Sequence, residues 1–326
     1  MGNQMAGVIE AYLKMRPNFD RLVNEGKYIF EHSDSKHEAK IVGITGRSKG
    51  PDSLREKIDR KKYSDPLSEI DDLAGIRIVC SYESDLKHIG KFVERTFEVK
   101  EHIDQSNVLG VDRMGYHGEH YIVSLGKTYS GVRYQGIVGL PLEIQVRTVL
   151  QDAWALTSHQ LVYKDEAMIP SSLRRDLNNV ASLLEIAQGV FDNVRDKRDA
   201  YLKEIERKQS VEQDFLNQPV DYDTLLAYTS WKYPDLGVDL SWHGELLRDL
   251  DHLEFDTLKK IDLAVESAKP AVLAYKKNYP ELFSTGTDHI TKSLGFVSES
   301  FRIVHSWGRE TRHALHSLKH LVEPLN

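Results

Sequence analysis

Two acidic residues far apart in the chain, Asp72 and Glu143, each stand beside cations in a pattern suited to phosphate chemistry. Around the first, Asp71-Asp72-Leu73-Ala74-Gly75-Ile76-Arg77 sets a carboxylate just before a strand and a guanidinium within it. That order suits a Mg²⁺ ligand followed by a base- or phosphate-contacting cation; simple capping of backbone amides at a turn is the alternative. Around the second, Leu142-Glu143-Ile144-Gln145-Val146-Arg147-Thr148 alternates strictly, so Glu143, Gln145 and Arg147 share one strand face while Leu142, Ile144 and Val146 share the other. An acid, an amide and a guanidinium in a row are costly to bury without partners. Such a row on a central strand points to a site.

Two further clusters supply what a nucleotide would need. Gly46-Arg47-Ser48-Lys49-Gly50-Pro51, with Lys57 further on, joins a strand end, a glycine turn and a helix start. The lysines there would meet a triphosphate at a helix N-terminus, and Arg47 would stack on a base. The GK[ST] ending of a P-loop is missing, and a solvated basic turn is the competing reading. Met114-Gly115-Tyr116-His117-Gly118-Glu119-His120 opens into a strand. Gly115 would let the backbone turn so that Tyr116 lies against a nucleobase, unless Tyr116 packs in the core. His117 and His120 would point to opposite strand faces, which argues against a histidine metal site.

These residues must be held by ordinary elements. Residues 5–33 read as one or two amphipathic helices, with Val8, Tyr12 and Met15 and then Phe19, Leu22 and Val23 on the apolar side. Strands are expected at Lys40–Thr45, Gly75–Ser81, Phe97–Ile103, His117–Leu125 and Ile137–Arg147. Pro51 suits the first turn of a helix reaching Lys62, and Ser84 and Asp85 are expected to cap another that runs to about Thr96. The result is an α+β domain, a mixed sheet of about five strands flanked by helices.

Downstream, Leu173, Leu177, Val180, Leu184, Ala187, Phe191 and Val194 form a heptad seam on a long helix, for packing on the domain or for a homo-oligomer contact. Polar residues 208–222 read as a linker between a first domain, 1–207, and a smaller helical domain, 223–326. In the latter, Asp256 would cap a helix carrying Leu258, Ile261, Val265 and Ala268, and Trp231, Trp242 and Trp307 would supply core bulk.

Composition narrows the class. In 326 residues, 43 Lys and Arg against 50 Asp and Glu give a formal charge of −7, which argues against a large nucleic-acid footprint but not against one small polyanion. The single cysteine, Cys80, rules out a disulfide framework and reads as a buried, inert thiol. No apolar run approaches the roughly 20 residues of a membrane span, and the N-terminus lacks a signal-peptide pattern. A cytoplasmic protein is expected.

The four clusters, in this order, resemble the synthetase domain of the RelA/SpoT alarmone family. The resemblance rests on Gly46-Arg47-Ser48-Lys49 with Ser53 and Lys57, on Asp72 to Arg77, on Gly115-Tyr116 with His120, and on Glu143 to Thr148 with Trp154, His159, Tyr163 and Lys164. It implies a nucleotidyltransferase-like fold and Mg²⁺-dependent transfer of pyrophosphate from ATP to the 3′-hydroxyl of GDP or GTP. Arg47 and Arg77 would sandwich adenine, while Lys49, Lys57 and Ser53 hold its phosphates. Asp72 and Glu143 would bind Mg²⁺, with Glu143 also activating the hydroxyl. Tyr116 would stack on guanine, supported by His120, Gln145 and Arg147. Residues Val111-Asp112-Arg113-Met114 and His117-Gly118-Glu119-His120 depart from the pattern of small family members on the acceptor side. The tRNA 3′ end, modified by toxic relatives, is therefore an alternative acceptor, and an inactive nucleotide-binding sensor a second alternative. The short stretch before the motifs implies a synthetase without the hydrolase domain of long members. The C-terminal region is expected to answer to a regulator or partner.

Overall fold

The computed structural model describes residues 2–33, 39–61, 63–104, 118–161 and 171–324. The chain divides into two compact units, Met1–Arg195 and Asp196–Asn326.

In the first unit, helix α1 (Gly2–Glu31) runs through Pro17 as one element and buries Tyr12, Phe19, Leu22, Val23 and Phe30. Strand β1 (Ile41–Ser48) leads to α2 (Pro51–Lys61), the short α3 (Pro66–Glu69) and a 3₁₀ turn at Asp71–Leu73. Strand β2 (Ala74–Cys80), α4 (Glu83–Thr96), β3 (Glu98–Asp104), β4 (Glu119–Ser124) and β5 (Leu142–Thr148) follow, then α5 (Val149–Leu161) and the long α6 (Ser171–Gln209). The strands form one five-stranded sheet in the order β1-β2-β5-β4-β3. Only β2 and β5 run parallel; the other three pairings are antiparallel. The expected mixed sheet with flanking helices is the fold observed.

Alternation splits the sheet into two faces. Ile76, Ile78, Leu142, Ile144 and Val146 are all at most 1% exposed and join α1 and α4 in a single core, where Phe30 meets Phe92. Close approach of α1 depends on Gly46, where an added Cβ would lie 2.7 Å from Val23 Cγ1 and 3.2 Å from the Gly75 carbonyl oxygen. Cys80 is fully buried, and burial pushes its thiol pKa up to about 12, consistent with an inert role.

Several expectations shift in detail. Strand β5 begins at Leu142 rather than Ile137, because the preceding residues make turns in which Gly131, Gly136 and Gly139 adopt φ of +95°, +82° and +77°, a backbone sense that side chains disfavour. The cap of α4 is Tyr82; Asp85 sits one turn inside, where its carboxylate accepts the Tyr82 backbone N–H. Asp85 is completely buried and is paired with Arg195 at 2.8 Å. The heptad seam of α6 does not act as one stripe: Leu177 and Leu184 pack with Ala181 around Trp154, whereas Leu173, Val180, Phe191 and Val194 are exposed.

The second unit is helical: α7 (Glu212–Leu216), α8 (Tyr222–Lys232), α9 (Leu240–Leu250), α10 (Leu258–Asn278), α11 (Gly286–Val297), α12 (Glu299–Val304) and α13 (Arg309–Ser317). Its core includes Phe215, which lies within the segment read as a linker, together with Ile205, Leu225, Tyr228, Leu258 and Ile261. Residues 208–222 are thus part of a folded unit, because Phe215 supplies the apolar side chain that their polar composition concealed. Leu258, Ile261, Val265 and Ala268 are buried along α10 as expected, but its N-cap is Thr257 and Asp256 pairs with Lys260. Trp231 and Trp307 pack on the cores, while Trp242 is 54% exposed.

Candidate active site

The polar face of the sheet is assembled by strand register. Thr45 on β1 lies opposite Arg77 on β2, and Arg47 lies opposite Gly75. On the other side of β2, Gly75 aligns with Glu143 and Arg77 with Gln145. His120 on β4 lies opposite Gln145. Cross-strand partners share a face, so Arg47, Arg77, Glu143, Gln145 and His120 converge without any loop having to carry them. Gly118, where a Cβ would stand 2.1 Å from the Val146 carbonyl oxygen, lets the chain enter β4 tight against β5.

A cavity of about 360 Å³ opens on this face, lined by Arg47, Lys49, Asp72, Arg77, Glu143 and Gln145 among others. Asp72, in the 3₁₀ turn before β2, is held by Lys49 Nζ at 2.9 Å and Lys57 Nζ at 2.8 Å, both on its Oδ2. Its Oδ1 is buried without a hydrogen-bond partner. Burial pushes the Asp72 carboxyl up, but the two lysines outweigh that effect and hold it below its ordinary value. Lys49 is itself located by α1, since the buried Tyr12 hydroxyl donates to the Lys49 carbonyl.

Glu143 accepts from Gln145 Nε2 at 3.0 Å and pairs with His120 Nδ1 at 3.3 Å. Burial raises its carboxyl pKa and the Asp72 charge adds to that; His120 and Gln145 prevail and keep it below the ordinary range. The Asp72 charge acts on Glu143, and both carboxylates line the same cavity. Gln145 turns its other end outward, and its Oε1 accepts from Arg77 Nε and Nη2, each at 3.3 Å.

Asp152 is the residue that sequence reading missed. From the first turn of α5 its carboxylate takes Arg77 Nη1 at 3.0 Å and lies 3.8 Å from Arg147 Nη1. One carboxylate thereby serves two guanidiniums; burial, then the Arg77 charge, lowers the pKa of Arg147. The available signal was spacing: Asp152 follows Thr148 by one helical turn, on the side of α5 that faces the Arg147 end of β5.

Of the expected residues, Arg47, Lys49, Lys57, Asp72, Arg77, His120, Glu143, Gln145 and Arg147 are gathered around this face. Ser53 is exposed on α2 and does not line the cavity; the helix turns it toward solvent while Leu54 is buried. Tyr116, Tyr163 and Lys164 lie outside the described residues. Trp154 serves as a packing residue, 8% exposed between α5 and α6.

Asp72 and Glu143 fit a magnesium ion. Mg²⁺ takes one or two carboxylates and completes its shell with water and phosphate oxygens, and the orphaned Asp72 Oδ1 is an acceptor still to be satisfied. A protein cage of three or more acidic, imidazole or thiol ligands does not occur among the described residues.

A mixed sheet whose polar face gathers two carboxylates and three cations at one cavity is an arrangement suited to the phosphates of a nucleotide. A family described as a region found in RelA / SpoT proteins matches residues 46–168. GTP pyrophosphokinase YjbM of Bacillus subtilis (strain 168) is 31% identical over 160 residues, covering 47% of this chain and 70% of that protein. GTP pyrophosphokinase YwaC of the same organism is 27% identical over 175 residues, 51% of this chain and 76% of that protein. The crystal structure of the small alarmone synthetase 1 from Bacillus subtilis shares the fold, with a TM-score of 0.51 and 23% identity over 59% of this chain and 99% of that one. The chain belongs to the RelA/SpoT family. No helix among the described residues is long and apolar enough to cross a membrane.

Proposed function

We propose that this protein is a cytoplasmic, Mg²⁺-dependent pyrophosphokinase that makes (p)ppGpp from ATP and GDP or GTP. The observation that carries the reading is the meeting of Asp72 and Glu143, 71 positions apart in sequence, at one cavity lined by Arg47, Lys49 and Arg77.

Arg47 and Arg77, diagonal neighbours on β1 and β2, would hold the adenine between their planes. Lys49 and Lys57 would pass from Asp72 to the phosphate oxygens as Asp72 and Glu143 take up magnesium. Magnesium, when bound, neutralises phosphate charge. Glu143, kept ionised by His120 and Gln145, is suited to accept the proton of the acceptor 3′-hydroxyl. The 3′-oxygen then bonds to the β-phosphorus of ATP, the bond from that phosphorus to the α,β-bridging oxygen breaks, and AMP leaves. A rigid strand holds Glu143 better than a loop would for this in-line geometry. Tyr116 would stack on the acceptor's guanine.

Incubation with γ-labelled ATP and, separately, GDP, GTP or deacylated tRNA tests the proposal. Label is expected on the guanine nucleotide, with AMP released in equal amount. Label on tRNA alone would replace the acceptor, and ATP binding without transfer to any of them would favour a sensor.

The unit Asp196–Asn326, which has its own apolar cores, is proposed to receive a regulator or partner. Its removal should change activity or assembly; an unchanged enzyme would end that reading.

A further inference from the structure

Strand β1 lies at an edge of the sheet, hydrogen-bonded to β2 alone, and it ends at Ser48, one residue before Lys49. Arg47 and Lys49 line the cavity, so their aim depends on how firmly this strand end is held. Alternation turns Ser48 to the opposite side, where helix α1 meets it. The Ser48 hydroxyl accepts from Arg16 Nε at 3.2 Å and donates to Asp20 Oδ1 at 2.5 Å. Arg16 and Asp20 stand one helical turn apart. One turn earlier stands Tyr12, whose hydroxyl donates to the Lys49 carbonyl. Three successive turns of α1 therefore grip two successive residues, on the side of β1 that has no neighbouring strand to hold it.

The grip leaves Lys49 a single freedom. Its amide donates to the Leu73 carbonyl at 2.9 Å, its carbonyl is taken by Tyr12, and its ammonium is on Asp72 at 2.9 Å. With both backbone groups fixed, only the side chain can leave Asp72. Tyr12 is fully buried and stacks on Phe19, ring centroids 5.9 Å apart. Burial raises its phenol pKa against the nearby Arg16 charge, so the hydroxyl keeps its proton for Lys49. We infer that Tyr12, Arg16, Asp20 and Ser48 are positioning residues for ATP: they fix the end of β1 so that Lys49 passes from Asp72 to a phosphate by side-chain rotation while Arg47 stays on the base. They act through Arg47 and Lys49 and do not touch the nucleotide. An anchor set before the ligand arrives spares binding the entropy of ordering it. The inference rests on the reading of the cavity as an ATP site.

Steady-state transfer from ATP to GDP by the full chain tests it, together with calorimetric binding of α,β-methylene-ATP in the presence of Mg²⁺. Tyr12→Phe removes only the hydroxyl and keeps the stacked ring. Ser48→Ala leaves Arg16 and Asp20 at the spacing of a helical ion pair, so α1 should stay folded. Each variant should raise KM for ATP and Kd for the analogue by about five- to tenfold, the worth of one hydrogen bond, with kcat and KM for GDP within about twofold. Ser48→Thr, which keeps the hydroxyl, should bind as the wild type does. Variants that lower Tm yet leave KM for ATP and Kd for the analogue unchanged would overturn the inference, because that is the signature of a purely structural role. An equal rise in KM for GDP would also overturn it, as would Ser48→Thr behaving like Ser48→Ala. Should Tyr12→Phe or Ser48→Ala fail to fold, Asp20→Ala, at an exposed position, decides by the same split between ATP and GDP. A wild-type protein that binds no analogue ends the ATP reading and this inference together; wild-type binding matched by every variant ends this inference alone.

Discussion

Replacing Glu143 with Gln preserves the shape of the side chain and removes its charge. Glu143 is 19% exposed, pairs with His120 at 3.3 Å and accepts from Gln145 at 3.0 Å. The amide can keep one of these contacts, so the fold should survive with little change. It cannot take a proton, and its remaining oxygen is a poor metal ligand. Loss of a general base alone costs about 10²–10⁴ in rate. A fall in kcat of about 10³ is expected, or about 4 kcal/mol of transition-state stabilisation. The ATP contacts proposed for Arg47, Lys49, Lys57 and Arg77 are left in place, so the dissociation constant for a non-hydrolysable ATP analogue should stay within about threefold, less than 1 kcal/mol. Single-turnover transfer from labelled ATP measures the first quantity and calorimetric titration the second. A variant that turns over within tenfold of the wild type would refute the role given to Glu143, and a collapse of ATP binding would show that the residue holds the donor instead.

Asp152→Asn should free Arg77 from its carboxylate while Gln145 still holds it, raising KM for ATP by about five- to tenfold with kcat little changed, from a partly exposed charged hydrogen bond of about 1 kcal/mol; steady-state kinetics would read a selective loss of kcat as evidence against it. Because Asp72 and Glu143 titrate below their ordinary values of 3.8 and 4.5, their ionisation stabilises the fold above those values and the contribution is lost as pH falls through the lowered ones. Melting curves from pH 7 to pH 3 should therefore fall less steeply for Asp72→Asn than for the wild type, and equal slopes would contradict the pairing with Lys49 and Lys57. Trp154→Ala should cost about 3 kcal/mol and lower the Tm of the first unit by about 6–12 °C; a loss under 1 kcal/mol would mean that α6 is not held there.

Sequence alone determined the parts whose physics is local. The alternation of Leu142 to Thr148 assigned Glu143, Gln145 and Arg147 to one face before any fold was known, because a strand turns successive side chains to opposite sides. The order of the four clusters carried the family. Asp72 and Glu143 could be named as partners, but their meeting depends on the parallel register of β2 and β5, which aligns Gly75 with Glu143. Register follows from packing the other face against α1 and α4, a long-range property. Asp152 was invisible for the same reason: its importance lies in Arg77, 75 positions away. Likewise the period of α6 was legible, while the division of its apolar residues was settled by where Trp154 lies. The linker reading of 208–222 failed at Phe215, since one aromatic in a polar run is weak as a pattern yet decisive once a cavity of its shape surrounds it. Periodicity reports which side chains travel together, whereas only the packed chain decides which surface they meet, because burial is a contest among all elements at once.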